Sequence, residues 1–205
     1  MSIASTPDEA HHSEGNTPAR ILDNGTLGFW IFLSAESVLF ASLIGSYILL
    51  HNSTNGGPTP QSVFSIPLTF MNTIALLLSS LTMGLAYFHV QRQRFAAMRL
   101  WLVVTVLLGM VFLAGTVHEF TGFYHLGLTI SSSPFGSAFF TLVGFHAMHV
   151  TFGLFWLIST IVYSYKSSFR GESVRKLGIL SLYWHFVDVV WILIFTVVYL
   201  LGKAA

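Results

Sequence analysis

Two acidic side chains lie inside long apolar stretches, where a charge needs a chemical reason. Glu36 lies in GFWIFLSAESVLF, and Asp188 lies in SLYWHFVDVVW. An isolated carboxylate in an apolar medium costs several kcal/mol unless it is paired, hydrated or protonated. Intramembrane acids are functional by default, so Glu36 is a candidate proton-exchanging or lipid-headgroup-binding group. The structural alternative is a neutral acid that is hydrogen-bonded to a neighbouring helix.

A polar face surrounds the second acid. Ser181, His185 and Asp188 fall on one face of a helix, because they are separated by four and three residues, and Trp184 and Trp191 flank them. His185 and Asp188 could therefore pair directly. This spacing favours a polar clamp between helices, with a proton relay as the alternative.

Two histidines lie near the middle of another apolar stretch. His146 and His149 are three residues apart, and Gly153 on the same face would allow close approach of another helix. Such a pair could ligate a metal or a haem. However, the apolar stretches contain none of the Glu-x-x-His pairs that carboxylate-bridged di-iron bundles use. Hydrogen bonding between helices is the expected role, and ligation is the alternative.

A further polar group ends the third apolar stretch. His118 and Glu119 are followed by Tyr124 and His125. At the end of a stretch that spans a bilayer, these groups reach the headgroup region. We expect a solvated cluster there.

The composition indicates the medium that surrounds these groups in the folded protein. Of the 205 residues, 54% are hydrophobic and 8% are charged, whereas soluble domains have about 25% charged residues. About 20 apolar residues span a bilayer as a helix, and a backbone exposed to lipid must satisfy its own hydrogen bonds. We therefore predict an all-α, polytopic membrane protein with five transmembrane helices. Their predicted ranges are Leu27–Leu50, Pro67–Val90, Leu100–Phe120, Gly136–Tyr163 and Gly178–Leu201.

The connections and ends predict the topology. Residues 1–26 form a polar tail that we expect to be partly disordered, and residues 27–202 form the transmembrane domain. Two neutral connections alternate with two basic ones. The positive-inside rule then places the N-terminus and both basic connections in the cytoplasm, and the C-terminus outside. The basic residues of the two connections are Arg92, Arg94, Arg99, Lys166, Arg170, Arg175 and Lys176.

The remaining composition excludes several classes of protein. A net charge of +1 provides no basic field for nucleic acid, so no nucleic-acid partner is expected. The absence of cysteine excludes disulfides and cysteine-ligated metals.

Three segments closely resemble subunit III of the haem–copper oxidases. They are LGFWIFLSAESVLFASL (Leu27–Leu43), GSAFFTLVGFHAMHVTFG (Gly136–Gly153) and SLYWHFVDVVWILIFTVVYLLG (Ser181–Gly202). The resemblance covers roughly residues 25–202. Longer members of the family have seven helices, and this chain resembles the shorter bacterial forms that correspond to the last five. A wall formed by two helices in the longer members must be absent here, or come from another subunit.

The resemblance implies roles for the intramembrane polar residues. Glu36 matches the carboxylate that is associated with carbodiimide modification in this family. The other matching positions are expected to be structural or lipid-contacting groups, with no catalytic, cofactor-binding or metal-binding residue in the chain. They are Glu119, His146, His149, Trp184, His185, Asp188 and Trp191.

The resemblance also implies an assembly. The chain would be a core subunit of an oxidase that reduces oxygen and pumps protons, with haem and copper held by subunits I and II. It would stabilise subunit I, its main contact, at the proton-uptake side, and would hold phospholipids. Subunit II and a small subunit IV are the other expected partners. The expected location is the bacterial inner (plasma) membrane, where the chain would be multi-pass.

The electron donor and two rival functions stay open. The segment HLGLTISSSPFGSAFF looks slightly more like cytochrome c oxidase forms than quinol oxidase forms. A free-standing proton channel would use Glu36 and Asp188. A haem-binding membrane cytochrome would use His146, His149 and His185.

Overall fold

Five long helices make up most of the part of the protein that the structure describes. The structure, a computed structural model, describes residues 24–59, 66–166 and 171–202, and these ranges contain no β-strand. Each candidate span is 26 to 33 residues long, with the π-helical continuation counted in the fifth, and is apolar enough to cross a membrane. This confirms the predicted all-α fold with five transmembrane helices. The helices are α1 (Asn24–Leu50), α2 (Ile66–Gln91), α3 (Phe95–His125), α4 (Pro134–Lys166) and α5 (Glu172–Ile194), and α5 continues into a π-helical segment (Phe195–Leu201).

Most helices extend beyond their predicted apolar stretches. The largest extensions are at both ends of α3 and at the start of α5. Residues 24–26, which we assigned to the polar tail, form the first turn of α1. The rest of that tail lies outside the described residues.

The neutral connection before α4 is defined by two local hydrogen-bonding motifs. Gly127 ends α3 with a φ of +82°, which a residue with a side chain rarely adopts. The Leu128 and Gly127 amides then donate to the Phe123 and Tyr124 carbonyls at 3.0 and 3.1 Å, which is a Schellman motif. Ser133 caps the next helix, because its hydroxyl accepts the Gly136 amide at 3.0 Å.

The helices run antiparallel in chain order, so the basic connections share one end of the bundle. Arg99 near the start of α3 donates to the Ser164 hydroxyl and carbonyl near the end of α4. At the opposite end, the Phe135 amide donates to the Ser53 carbonyl. We call these the basic end and the neutral end. Among the described residues, the basic end carries Arg92, Arg94, Arg99, Lys166, Arg175 and Lys176.

Trp184 of α5 lies at the centre of the bundle. Its indole nitrogen donates to the Ser79 hydroxyl of α2 at 3.0 Å. A Cβ added at Gly153 of α4 would lie 2.9 Å from the ring, and one at Gly109 of α3 would lie 3.1 Å from it. The two glycines therefore leave the space that the buried ring fills. The predicted close approach at Gly153 is thus a contact with Trp184.

Helix α1 packs less closely than the others. It contacts α4, α5 and the π-helical segment, whereas α2 and α3 form the most extensive helix pair. Its buried hydrophobic side chains are Leu33, Phe40 and Tyr47, seven residues apart, so they form a narrow seam. The rest of α1 faces outward and is apolar. This narrow seam places Glu36 near the margin of the bundle.

Candidate functional site

Glu36 of α1 pairs with His149 of α4. Glu36 Oε2 lies 3.1 Å from His149 Nε2, and the two side chains are 19% and 11% exposed. His149 Nδ1 donates to the Phe145 carbonyl at 2.8 Å, so this nitrogen carries a proton. The contact between Nε2 and Oε2 then needs one further proton. Either an imidazolium donates to a carboxylate, or a protonated carboxyl donates to a neutral imidazole.

An apolar pocket of about 380 Å³ opens at this pair. Its walls come from α1, α4 and α5, and the Tyr183 hydroxyl beside it donates to the His149 carbonyl at 3.1 Å. A carboxyl group in the lining of such a pocket can meet an apolar reagent or an acyl chain directly. The lining residues are Phe32, Glu36, Leu39, Phe145, Met148, His149, Phe152 and Tyr183.

His146 does not form the expected bond between helices. Its ring is completely buried, and neither ring nitrogen has a hydrogen-bond partner among the described residues. The ring stacks on Trp191 at 5.0 Å between centroids, and Phe112 meets it edge-on at 5.9 Å. Aromatic packing therefore holds His146.

His185 bonds a hydroxyl instead of the neighbouring acid. Its Nδ1 lies 2.6 Å from the Ser80 hydroxyl of α2. The expected direct pair with Asp188 is absent, and the carboxylate oxygens of Asp188 have no hydrogen-bond partner within the described ranges. The Ser80 hydroxyl lies beside Asp188 without completing a bond to it. A polar clamp between α2 and α5 does exist, and Ser80 completes it.

Tyr124 is exposed as expected, but Glu119 is buried, so the expected solvated cluster is wrong for Glu119. Glu119 is 6% exposed, and it accepts hydrogen bonds from Thr69 of α2 at 2.5 Å and from Tyr199 at 3.3 Å. His118 and His125 are exposed. Helix α3 continues to His125, so the helix periodicity turns Glu119 inward while His118 faces outward.

The predicted residues do not assemble into one site. Glu36 and His149 meet, His146 stacks on Trp191, and Glu119 lies separately near the neutral end. Across residues 24–59, 66–166 and 171–202, no group of three or more His, Asp or Glu side chains is arranged to hold a metal ion.

Sequence reasoning missed the hydroxyl partners on α2. Thr73 accepts the Trp191 indole nitrogen at 3.0 Å, as Ser79 accepts that of Trp184. Thr69, Thr73 and Ser80 are separated by four and seven residues, so they lie on one helix face. This spacing was the available signal. One face of α2 thus provides polar partners for α3 and α5.

The sequence of this chain matches a known protein family. The family model described as cytochrome c oxidase subunit III matches residues 8–203. Cytochrome c oxidase subunit 3 of Bacillus sp. (strain PS3) is 48% identical over 179 residues, which cover 87% of this chain and 86% of that protein.

Proteins named for quinol oxidation are also similar. Quinol oxidase subunit 3 of Bacillus spizizenii is 40% identical over 199 residues, covering 95% of this chain and 98% of that protein. Cytochrome bo(3) ubiquinol oxidase subunit 3 of Pseudomonas aeruginosa is 40% identical over 195 residues, covering 95% of this chain and 90% of that protein. The similarity therefore extends along nearly the whole chain.

Proposed function

Because the chain belongs to the cytochrome c oxidase subunit III family, we propose that it is the non-catalytic subunit III of a proton-pumping, aa3- or caa3-type cytochrome c oxidase. The single observation that carries the donor assignment is the identity of 48% to a cytochrome c oxidase subunit, against 40% to quinol oxidase subunits. The complex resides in a bacterial plasma membrane. Haem and copper belong to its other subunits.

The fold supports an accessory role. Within the described helices, Glu36 and His149 form an ion pair, His185 and Glu119 are held by separate hydrogen bonds, and His146 is packed against aromatic rings. Helix α1 turns most of its apolar surface outward, where subunit I and tightly held lipid would cover it. In this arrangement the chain stabilises subunit I at its proton-uptake side. Subunit II and a small subunit IV complete the assembly.

A donor assay tests the assignment. The full complex is isolated through an affinity tag on this chain, and its oxygen consumption is measured with reduced cytochrome c and with a reduced quinol. We expect turnover with cytochrome c and little turnover with the quinol. The reverse preference would contradict the cytochrome c assignment while leaving membership of the family intact.

A quinol oxidase is the second candidate, and one observation favours it. The Bacillus spizizenii quinol oxidase subunit matches 95% of this chain, whereas the Bacillus sp. cytochrome c oxidase subunit matches 87%. The same two-donor assay distinguishes these candidates.

The basic end faces the cytoplasm in this proposal, following the positive-inside rule. The chain has no cysteine, so single cysteines can report the orientation. Gln93→Cys lies at the basic end and Ser131→Cys at the neutral end, and both positions are exposed. In cells with a permeable outer layer and an intact plasma membrane, an impermeant maleimide should label only Ser131→Cys. Labelling of Gln93→Cys alone would show that the basic end faces outside, which is the opposite topology.

A further inference from the structure

A second pocket opens at the basic end and leads inward to His185. Its volume is about 500 Å³, and it lies between the start of α1, the last turns of α2 and the start of α5. Unlike the pocket at Glu36, it is partly polar. Its polar lining residues are Thr26, Tyr87, Arg175, Ser181 and His185.

Polar groups continue inward from this pocket. His185 lines the pocket, and its Nδ1 is bonded to the Ser80 hydroxyl at 2.6 Å, which leaves Nε2 for water in the pocket. The same hydroxyl lies beside the carboxyl of Asp188. Three proton-carrying groups thus follow one another from the pocket toward the middle of the bundle.

Asp188 is an unusual end point for such a series. It is 3% exposed, and no hydrogen bond from the described residues reaches either of its oxygens. A buried carboxylate with no partner is costly, so the group must carry a proton or hold a water molecule. Proton access from the pocket satisfies this need without a charged partner.

Beyond Asp188, toward the neutral end, packed aromatic rings interrupt the series of polar groups formed by His185, Ser80 and Asp188. Trp191, one turn beyond Asp188, is buried, and its indole nitrogen is bonded to Thr73. Its ring stacks on His146 and meets Phe112 edge-on at 4.7 Å. These packed rings separate Asp188 from the hydrogen bonds around Glu119.

We propose that the basic-end pocket is a water-filled proton entry that connects Asp188, through His185 and Ser80, to the basic side of the membrane only. Water in the pocket gives a proton to His185 Nε2, and Nδ1 passes its own proton to the Ser80 oxygen. Ser80 then gives its hydroxyl proton to Asp188. The reverse sequence returns the proton, so Asp188 exchanges protons with one side and conducts none across the membrane.

The other titratable groups near this path are few. Tyr87 of α2 and Arg175 of α5 line the pocket with His185, whereas the α1 residues in the lining, Thr26 and Phe29, do not titrate. His146 of α4 lies behind Trp191. The exchange therefore depends on His185 as the first acceptor.

Hydrogen–deuterium exchange of the Asp188 carboxyl tests this proposal. The full chain, with the subunits that co-purify with it, is transferred from H₂O to D₂O and followed by infrared spectroscopy in the region of protonated carboxylic acids. Asp188→Asn identifies the Asp188 band by its loss, and Asp188→Glu identifies it by a shift if the Asn variant does not assemble. We expect this band in the wild type, and we expect it to shift soon after transfer to D₂O.

Gly84 provides a variant that blocks the pocket and leaves the relay residues intact. It lines the pocket, and a Cβ added there has nothing within 4 Å. Gly84→Leu fills open space, so exchange should slow about tenfold or more, because deuterium would then need local opening of the helix packing. Gly144→Leu on α4 is the matched control, since Gly144 also has open space and lies outside this pocket.

The outcomes separate cleanly. His185→Phe should slow exchange as Gly84→Leu does, whereas Gly144→Leu should leave it at the wild-type rate. Equal rates in all variants would overturn the proposed path, because water would reach Asp188 by another route. No protonated Asp188 band, or no exchange in the wild type, would overturn the proposal as well.

Discussion

Helices α1 and α5 each carry an acid in the middle of the membrane, but they hold it by different means. Asp188 of α5 is 3% exposed and has no hydrogen-bond partner in the part of the chain that the structure describes. Glu36 of α1 is a fifth exposed and is paired with His149 across a helix boundary. Where packing is dense, an acid can be neutral and enclosed. Where packing is thin, a partner side chain has to compensate the acid.

This difference indicates which helix holds the bundle together. Trp184 of α5 contacts α2, α3 and α4, so its loss affects four helices. The α1 seam touches its neighbours through isolated large side chains. Substitutions in α5 should therefore have larger effects on stability than substitutions around Glu36.

The largest effect is expected for Trp184→Ala. It removes the ring between Gly109 and Gly153 together with the hydrogen bond to Ser79, so the free energy of unfolding should fall by about 3–5 kcal/mol. Titration of the purified protein with denaturing detergent measures this change. Trp30→Ala is the control, because Trp30 is 51% exposed and its loss should cost within about 0.5 kcal/mol. Equal losses in both variants would contradict the central position of Trp184.

A smaller loss is expected when the space for this ring is filled. Gly153→Val places a Cβ 2.9 Å from the Trp184 ring, and such overpacking costs about 1–3 kcal/mol. Gly144→Val, which meets nothing within 4 Å, should be close to neutral in the same titration. If Gly153→Val did not lower the stability, the Trp184 ring could shift within its contacts with α2, α3 and α4.

The pair on α1 should contribute less. A double-mutant cycle with Glu36→Gln and His149→Gln should give a coupling of about 0.6–1.7 kcal/mol, as found for polar pairs between membrane helices. A coupling as large as the loss expected for Trp184→Ala, about 3–5 kcal/mol, would mean that α1 and α5 do not differ in this way.

Chemical modification sharpens the same comparison. Carbodiimide labels protonated carboxyl groups, and the pocket at Glu36 admits an apolar reagent. Labelling should be lost in Glu36→Gln, while the complex still assembles and reduces oxygen at nearly normal initial rates. His149→Leu should label faster than the wild type, because the Glu36 carboxyl would lose its hydrogen-bond partner and be free to meet the reagent. Undiminished labelling of Glu36→Gln would place the reactive carboxyl elsewhere.

The smallest effect is expected for Asp188→Leu. From the sequence, this change should strand His185 and weaken assembly. In the structure Ser80 holds His185, so the free energy of unfolding should change by less than about 1 kcal/mol. Glu119→Leu is the control, because it removes an acceptor of Thr69 and Tyr199 and should cost about 1–3 kcal/mol. A large loss in Asp188→Leu would mean that the acid has a partner in the complex.

The sequence was sufficient to predict the five helices, but not to predict which side chains pair with each other. Apolar length alone predicts five spans, because a bilayer imposes the same requirement on every one of them. Local spacing wrongly paired His185 with Asp188, since it cannot show that Ser80, 105 residues away in the chain, lies closer to the ring. Glu36 and His149 are 113 residues apart. Their meeting depends on how α1 sits against α4, which no local pattern encodes.

Burial of Glu119 was missed for a related reason. The apolar stretch ends near Glu119, which suggested a solvated position, but the helix continues to His125 and keeps Glu119 on its inner face. An apolar stretch marks where lipid ends, and a helix can extend past that point.

The central claim is that this chain acts as a subunit and not as a redox protein on its own. The most direct measurement is intact-complex mass spectrometry, combined with reduced-minus-oxidised optical spectra, on material isolated through a tag on this chain. We expect a larger partner subunit in the complex, with the haem spectrum belonging to that partner. A chain that purifies alone with stoichiometric haem or copper would contradict the account.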